Sequence, residues 1–130
     1  MITRRSILAS AAVFGAVMAS PSLAAELVDY APHAFDAALS AKRPILVWIH
    51  ASWCPTCKAQ APTLAKIEAE PQYKDLMVFR VDFDSQKDAV KRFGARMQST
   101  LITFKDGKET GRSVGDTDPA SIAALVAKAG

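Results

Sequence analysis

An α/β fold, with a mixed central sheet covered by helices on both faces, is the architecture this 130-residue sequence predicts. Three observations carry that prediction. Strand-like and helix-like segments alternate over most of the chain. The segment Ile45-Leu46-Val47-Trp48-Ile49 is apolar at every position, as a strand buried on both faces must be. The last third holds a tight-turn dipeptide, Asp106-Gly107, between two strand-like runs, and a closing helix follows.

The elements follow in order. Leu27–Tyr30 is predicted as a short edge strand and His33–Ser40 as a weak helix. Pro44 then introduces the buried strand Ile45–Ile49. Lys58–Glu70, rich in Ala, Leu, Lys and Glu, is predicted as a helix, with a kink expected at Pro62. Leu76–Phe83 has strand character. Gln86–Phe93 is a short helix stopped by Gly94. Leu101–Phe104 is the next strand, joined through Asp106-Gly107 to a partner over Lys108–Val114. Asp118-Pro119 supplies an N-cap and a first-turn proline, and Ile122, Leu125 and Val126 mark the buried stripe of the last helix.

Residues 1–24 are expected to be a cleavable signal peptide, leaving residues 25–130 as one domain. Arg4 and Arg5 form a basic start, Ser6 to Ala19 are apolar or small, and Ser22-Leu23-Ala24 offers small residues before a cut. The apolar run, about 14 residues, falls short of the roughly 20 that span a bilayer as a helix. Thr3-Arg4-Arg5-Ser6-Ile7-Leu8 resembles a twin-arginine export signal, although Ala9 sits where a Lys is common; the general secretory route stays open. Either route implies a periplasmic protein with no stable membrane insertion after cleavage. The mature chain then holds 14 basic and 13 acidic residues, a net charge of +1. No basic run longer than two residues survives, which excludes an electrostatic footprint for nucleic acid.

Only two cysteines occur, Cys54 and Cys57. A disulfide closing so short a loop constrains the unfolded chain very little, so the pair is suited to chemistry rather than to stability. The segment Trp53-Cys54-Pro55-Thr56-Cys57 lies where a buried strand ends and a helix begins. Unpaired N–H groups and the helix dipole favour a thiolate there, which makes Cys54 the attacking sulfur. Cys57, one turn further in and less exposed, is placed to resolve the mixed disulfide. Pro55 suits the first turn because its missing N–H has no intrahelical partner to lose.

The chain resembles the thioredoxin family over essentially the whole mature length. Trp53-Cys54-…-Cys57-Lys58, Pro62, Phe93-Gly94, Phe104-Lys105-Asp106-Gly107 and Val114-Gly115 fall in thioredoxin order and spacing. The Pro55-Thr56 pair is similar to that of the periplasmic cytochrome-c-maturation reductases, whose extra insert and Gly-x-Pro-Glu-type segment are not found here. The resemblance implies a thioredoxin-like fold with a parallel core and a C-terminal antiparallel hairpin. It also implies a thiol–disulfide oxidoreductase with no cofactor beyond a redox-active Cys54–Cys57 disulfide. Its partners would be protein or small-molecule thiols and disulfides, with a membrane or periplasmic thiol reductant as electron donor.

Trp53, Pro55, Thr56, Ser99 and Thr100 would shape the site, Trp53 as a packing lid. Ser99 takes the place of the family's cis-proline, since no proline occurs between Pro71 and Pro119. A trans Gln98–Ser99 bond and a more open site are therefore expected. Trp48 takes the place of the family's buried Asp, and Arg80 that of the Lys facing it. Proton transfer from Cys57 then needs water or His50; the plainer role for His50 is a hydrogen-bonded residue at a strand end. Asp82 and Asp84 are expected to terminate their strand. A different class of function stays open at this point: a metal- or iron–sulfur-binding module using Cys54 and Cys57, with His50 or Met97 as a further ligand.

Overall fold

The computed structural model describes residue 15 and residues 24–130; the predicted signal peptide lies almost wholly outside them. Five strands form one sheet: β1 (Glu26–Asp29), β2 (Ile45–His50), β3 (Met77–Asp82), β4 (Thr100–Lys105) and β5 (Lys108–Val114), in the order β1-β3-β2-β4-β5. β3 runs parallel to both β1 and β2, while β4 is antiparallel to β2 and to β5. The helices are α1 (Pro32–Ser40), α2 (Pro55–Glu68), α3 (Lys87–Arg92) and α4 (Pro119–Val126). This is the mixed, helix-covered sheet that the sequence predicts.

β2 sits at the centre because its side chains can be buried on either face. Leu46 and Trp48 join Leu64 and Ile67 of α2 and Ile122 and Val126 of α4 in one core cluster. Ile45, Val47 and Ile49 join Phe35 of α1, Phe79 of β3 and Phe93 in the other. Phe35 is the hub of that second cluster, with ring centroids of Phe93, Phe104 and Phe79 at 5.1, 5.4 and 5.5 Å in edge-on contact. Burying each such side chain contributes about 1.5–3 kcal/mol.

Local chemistry sets the boundaries. Both Pro32 and Pro55 open a helix, so α1 and α2 start before the predicted residues, and α2 runs on through Pro62 to Glu68. Asp106 and Gly107 have φ of 52° and 80°, the left-handed pair that a two-residue hairpin between twisted strands requires. Gly111 on β5 faces α4 so closely that a Cβ would lie 2.7 Å from Leu125 Cδ1. Among the described residues no helix is long and apolar enough to cross a membrane.

The Asp118 side chain accepts the Ser121 N–H at 3.1 Å, capping α4 as the sequence predicts. Replacing Asp118 by Ala should lower unfolding stability by about 1 kcal/mol, read as a shifted urea midpoint at unchanged m-value.

Candidate active site

The site forms where β2 ends and α2 begins. The chain leaves the sheet at His50 and turns at Ala51, whose carbonyl accepts the Cys54 N–H at 3.1 Å. Cys54 is the N-cap of α2, with φ −82° and ψ 114°, and its Sγ accepts the Cys57 backbone N–H at 3.1 Å. A cysteine thus fills the place usually given to Ser or Asp, and its sulfur meets a donor that the helix leaves unpaired. Pro55 occupies the first helical position and is exposed, and Thr56 is half-buried.

Both cysteines are free thiols and both are fully buried, at 0% exposure. The expectation of an open site with Cys54 the more exposed thiol is therefore corrected. The loop before β4 packs close to the pair. Ser99 is only 4% exposed, with φ +61°, and its N–H donates to the Ile49 carbonyl at 2.7 Å. The Cys57 thiol points to the same Ile49 oxygen at 3.9 Å. No cis peptide bond occurs among the described residues, so Gln98–Ser99 is trans as expected. Thr100 is buried and its hydroxyl donates to the Met97 carbonyl at 2.7 Å, while the Met97 side chain is exposed.

Burial, reinforced by hydrogen bonding with Cys54, pushes the Cys57 thiol from 9.0 up to about 11; backbone groups of Ala51 and Ser99 pull the other way. At neutral pH Cys57 keeps its proton and can donate it to the Ile49 carbonyl. The two sulfurs are thereby made unlike: Cys54 accepts a backbone N–H, and Cys57 turns its thiol toward a backbone carbonyl.

The remaining predicted residues are distributed around this pair. Trp53 is 54% exposed and its indole N–H donates to Asp84 at 2.7 Å, so it is held outward against the β3–α3 turn rather than laid over the sulfurs. Asp82 ends β3 as expected, its carboxylate accepting the N–H groups of Asp84 and Ser85 at 2.9 Å each. His50 and Arg80 do come together, lining a cavity of about 500 Å³ with Asp29, Ser52, Asp82 and Gln86. Arg80 is engaged by Asp29 at 2.8 Å. Burial and the Arg80 charge lower the His50 pKa, and Asp82 opposes them. The His50 ring stands edge-on against Trp48, 4.7 Å between centroids, and Trp48 belongs to the core cluster that holds both cysteines. Trp48 thus packs between His50 and the dithiol's side of the core.

Gln60 is the residue that the sequence analysis misses. It is fully buried, and every polar group of its side chain is used. Its carbonyl accepts the Trp48 indole N–H at 3.0 Å, and its amide donates to the Ser99 and Asp116 carbonyls at 3.1 and 2.9 Å. The available signal was its place on the buried stripe Cys57, Gln60, Leu64, Ile67 of α2, where a polar residue needs internal partners. Among the described residues no group of three or more His, Cys, Asp or Glu is placed to hold a metal ion. A metal module would therefore have Cys54 and Cys57 as its ligands with no such group to complete it.

Comparison with known proteins agrees with this geometry. The thioredoxin family model matches residues 26–128. The chain is similar to a thioredoxin of Chlamydia muridarum, 39% identical over 84 residues that cover 65% of this chain and 80% of the relative. It is 32% identical to thioredoxin C-2 of Corynebacterium nephridii over 105 residues, 80% of this chain and 96% of the relative. The solved structure of the protein Trxlp from Edwardsiella tarda superposes with a TM-score of 0.76 at 40% identity, covering 78% of this chain and 98% of that one.

The raised Cys57 value fixes a pH dependence. The unfolded thiol ionises near 9.0 and the folded one near 11, so the folded state binds more protons between those values. This contribution to stability is complete below pH 9 and is lost as pH rises through about 11. Urea midpoints of the reduced protein should fall across that window more steeply than those of Cys57→Ala. The thiolate absorbance that separates the two proteins should titrate near pH 11.

Proposed function

The chain belongs to the thioredoxin family and is a thiol–disulfide oxidoreductase, and from that premise we propose that it is an exported, periplasmic reductase of substrate disulfides. The carrying observation is the asymmetric pair: Cys54 at the N-cap of α2 accepting an amide hydrogen bond, and Cys57 protonated behind it. Periplasmic export is supported by the basic start, apolar run and small-residue cut site of residues 1–24.

In this reading Cys54 attacks as the thiolate, forming a mixed disulfide and expelling one substrate sulfur as a thiolate. That leaving thiolate is a base released next to Cys57 and takes up its proton. Cys57 then attacks Cys54 Sγ, the mixed disulfide breaks, and the second substrate sulfur leaves and is protonated from water. One substrate disulfide has gained two electrons and two protons, and the protein is left with a Cys54–Cys57 disulfide. A thiol reductant of the same compartment restores the dithiol. Trp48 stands in the place of the family's buried Asp, so no carboxylate there accepts the Cys57 proton. Ser99 stands in the place of the family's cis-proline and, through a trans peptide and a left-handed backbone, brings its N–H to the Ile49 carbonyl that the Cys57 thiol also faces.

Insulin reduction driven by dithiothreitol tests the chemistry. Cys54→Ser should lose activity by at least about a thousandfold, and full activity in that variant would overturn the reading. Cys57→Ser should accumulate a mixed disulfide with substrate, seen by mass spectrometry as an adduct on Cys54. Export is tested separately: expressed in full, the protein should be recovered from the periplasm beginning at Ala25, whereas an intact Met1 in the cytoplasm would refute the assignment.

A further inference from the structure

Burying an amide side chain completely in a helix that faces the core is costly unless every donor and acceptor finds a partner. Gln60 meets that condition with three partners drawn from three separate parts of the fold. Trp48 lies on the central strand, Ser99 on the loop before β4, and Asp116 between β5 and α4. Gly115 adds its own N–H to the Ser99 carbonyl at 3.1 Å, so that oxygen takes two donors. On its other side, the Ser99 N–H is bound to the Ile49 carbonyl that also faces the Cys57 thiol. Ser99 is held in the left-handed region, which strains a non-glycine residue and persists only where its surroundings fix it.

We propose that Gln60 is a positioning residue: it holds the Met97–Thr100 loop closed over the dithiol from inside the fold, and so sets how often Cys54 and Cys57 are open to reagents and substrates. Gln60 touches no substrate and moves no proton. It ties the loop to Trp48 and to the helix that carries both cysteines, so loop and dithiol are held in one register. Opening must break the Gln60–Ser99 bond and leave a buried amide donor without its partner. This inference rests on the oxidoreductase reading only for its consequence in catalysis; the closure itself does not require activity.

The test uses the full reduced protein with Gln60→Leu, which keeps apolar volume but neither accepts nor donates, and Gln60→Glu, which keeps the shape and the Trp48 acceptor but replaces the amide donor to Ser99 and Asp116 by a carboxyl oxygen. Iodoacetamide alkylation at neutral pH should be about tenfold faster in both variants, the loss of roughly one buried hydrogen bond. Amide exchange at Ser99 and Gly115 should rise by a similar factor while the amides of β2 keep their protection. For insulin reduction kcat/KM should rise, through a lower KM more than through a higher kcat. Alkylation within about twofold of the original protein, or exchange that rises equally in β2 and in the loop, would overturn the proposal, the latter by showing global destabilisation alone. Should Gln60→Leu fail to fold, Gln60→Glu decides by the same two readouts. A wild-type protein that reduces no insulin would count against the oxidoreductase reading, whereas alkylation and exchange would still decide the closure.

Discussion

One carbonyl oxygen, that of Ile49 near the end of the central strand, fixes the relation between the dithiol and its cover. It lies beneath fully buried residues, so water cannot satisfy it and the protein must. The Ser99 N–H reaches it from one direction at 2.7 Å and the Cys57 thiol from another at 3.9 Å. Two chain segments that meet nowhere in sequence are thereby referred to one atom of the central strand. The turn at Ala51, the cap at Cys54 and the left-handed backbone at Ser99 are all geometries that let both donors arrive there.

Behind that atom the core is polar yet uncharged. The indole of Trp48 and the amide of Gln60 bond to each other in full burial. A carboxylate in such a place would carry a desolvation cost of several kcal/mol, whereas the neutral pair contributes about 1 kcal/mol and does not titrate. Burial, with hydrogen bonding to Cys54, raises the nearby Cys57 thiol to about 11. The titratable residues of the neighbourhood, His50 and Asp82 with the Arg80–Asp29 pair, are gathered instead in the cavity beyond Trp48.

What the sequence made legible follows from how far each interaction reaches along the chain. The first-turn proline, the Asp106-Gly107 hairpin and the Asp118 cap are all settled within a few residues, and each appears as expected. The wholly apolar run at Ile45 required a central strand for the same local reason. The closed site was not legible, because its parts lie far apart: Gln60 binds Ser99 and Asp116 across 39 and 56 residues, and Trp53 binds Asp84 across 31. Loss of a shielding proline suggested an open site, and nothing local announced that a buried glutamine would hold a serine in the same region. Gln60 itself looks like any polar helix residue until it is placed on the stripe with Cys57 and Leu64.

Closure changes what the dithiol meets. A fully buried thiol reacts only from the fraction of molecules in which its cover has opened. If the three bonds that hold Ser99, from Gln60 and Gly115 to its carbonyl and from its N–H to Ile49, each contribute about 1 kcal/mol, the open form is held to the order of 1%. A small reagent with no affinity for the open loop meets the sulfurs only at that reduced frequency. A protein disulfide that binds the opened loop shifts the equilibrium by its own binding energy, and the shift is as large as its preference for the open form. Selectivity between the two kinds of partner then needs no recognition of the disulfide itself. It follows from which partner can supply the energy of opening, and that energy is set by an amide side chain one helical turn beyond Cys57.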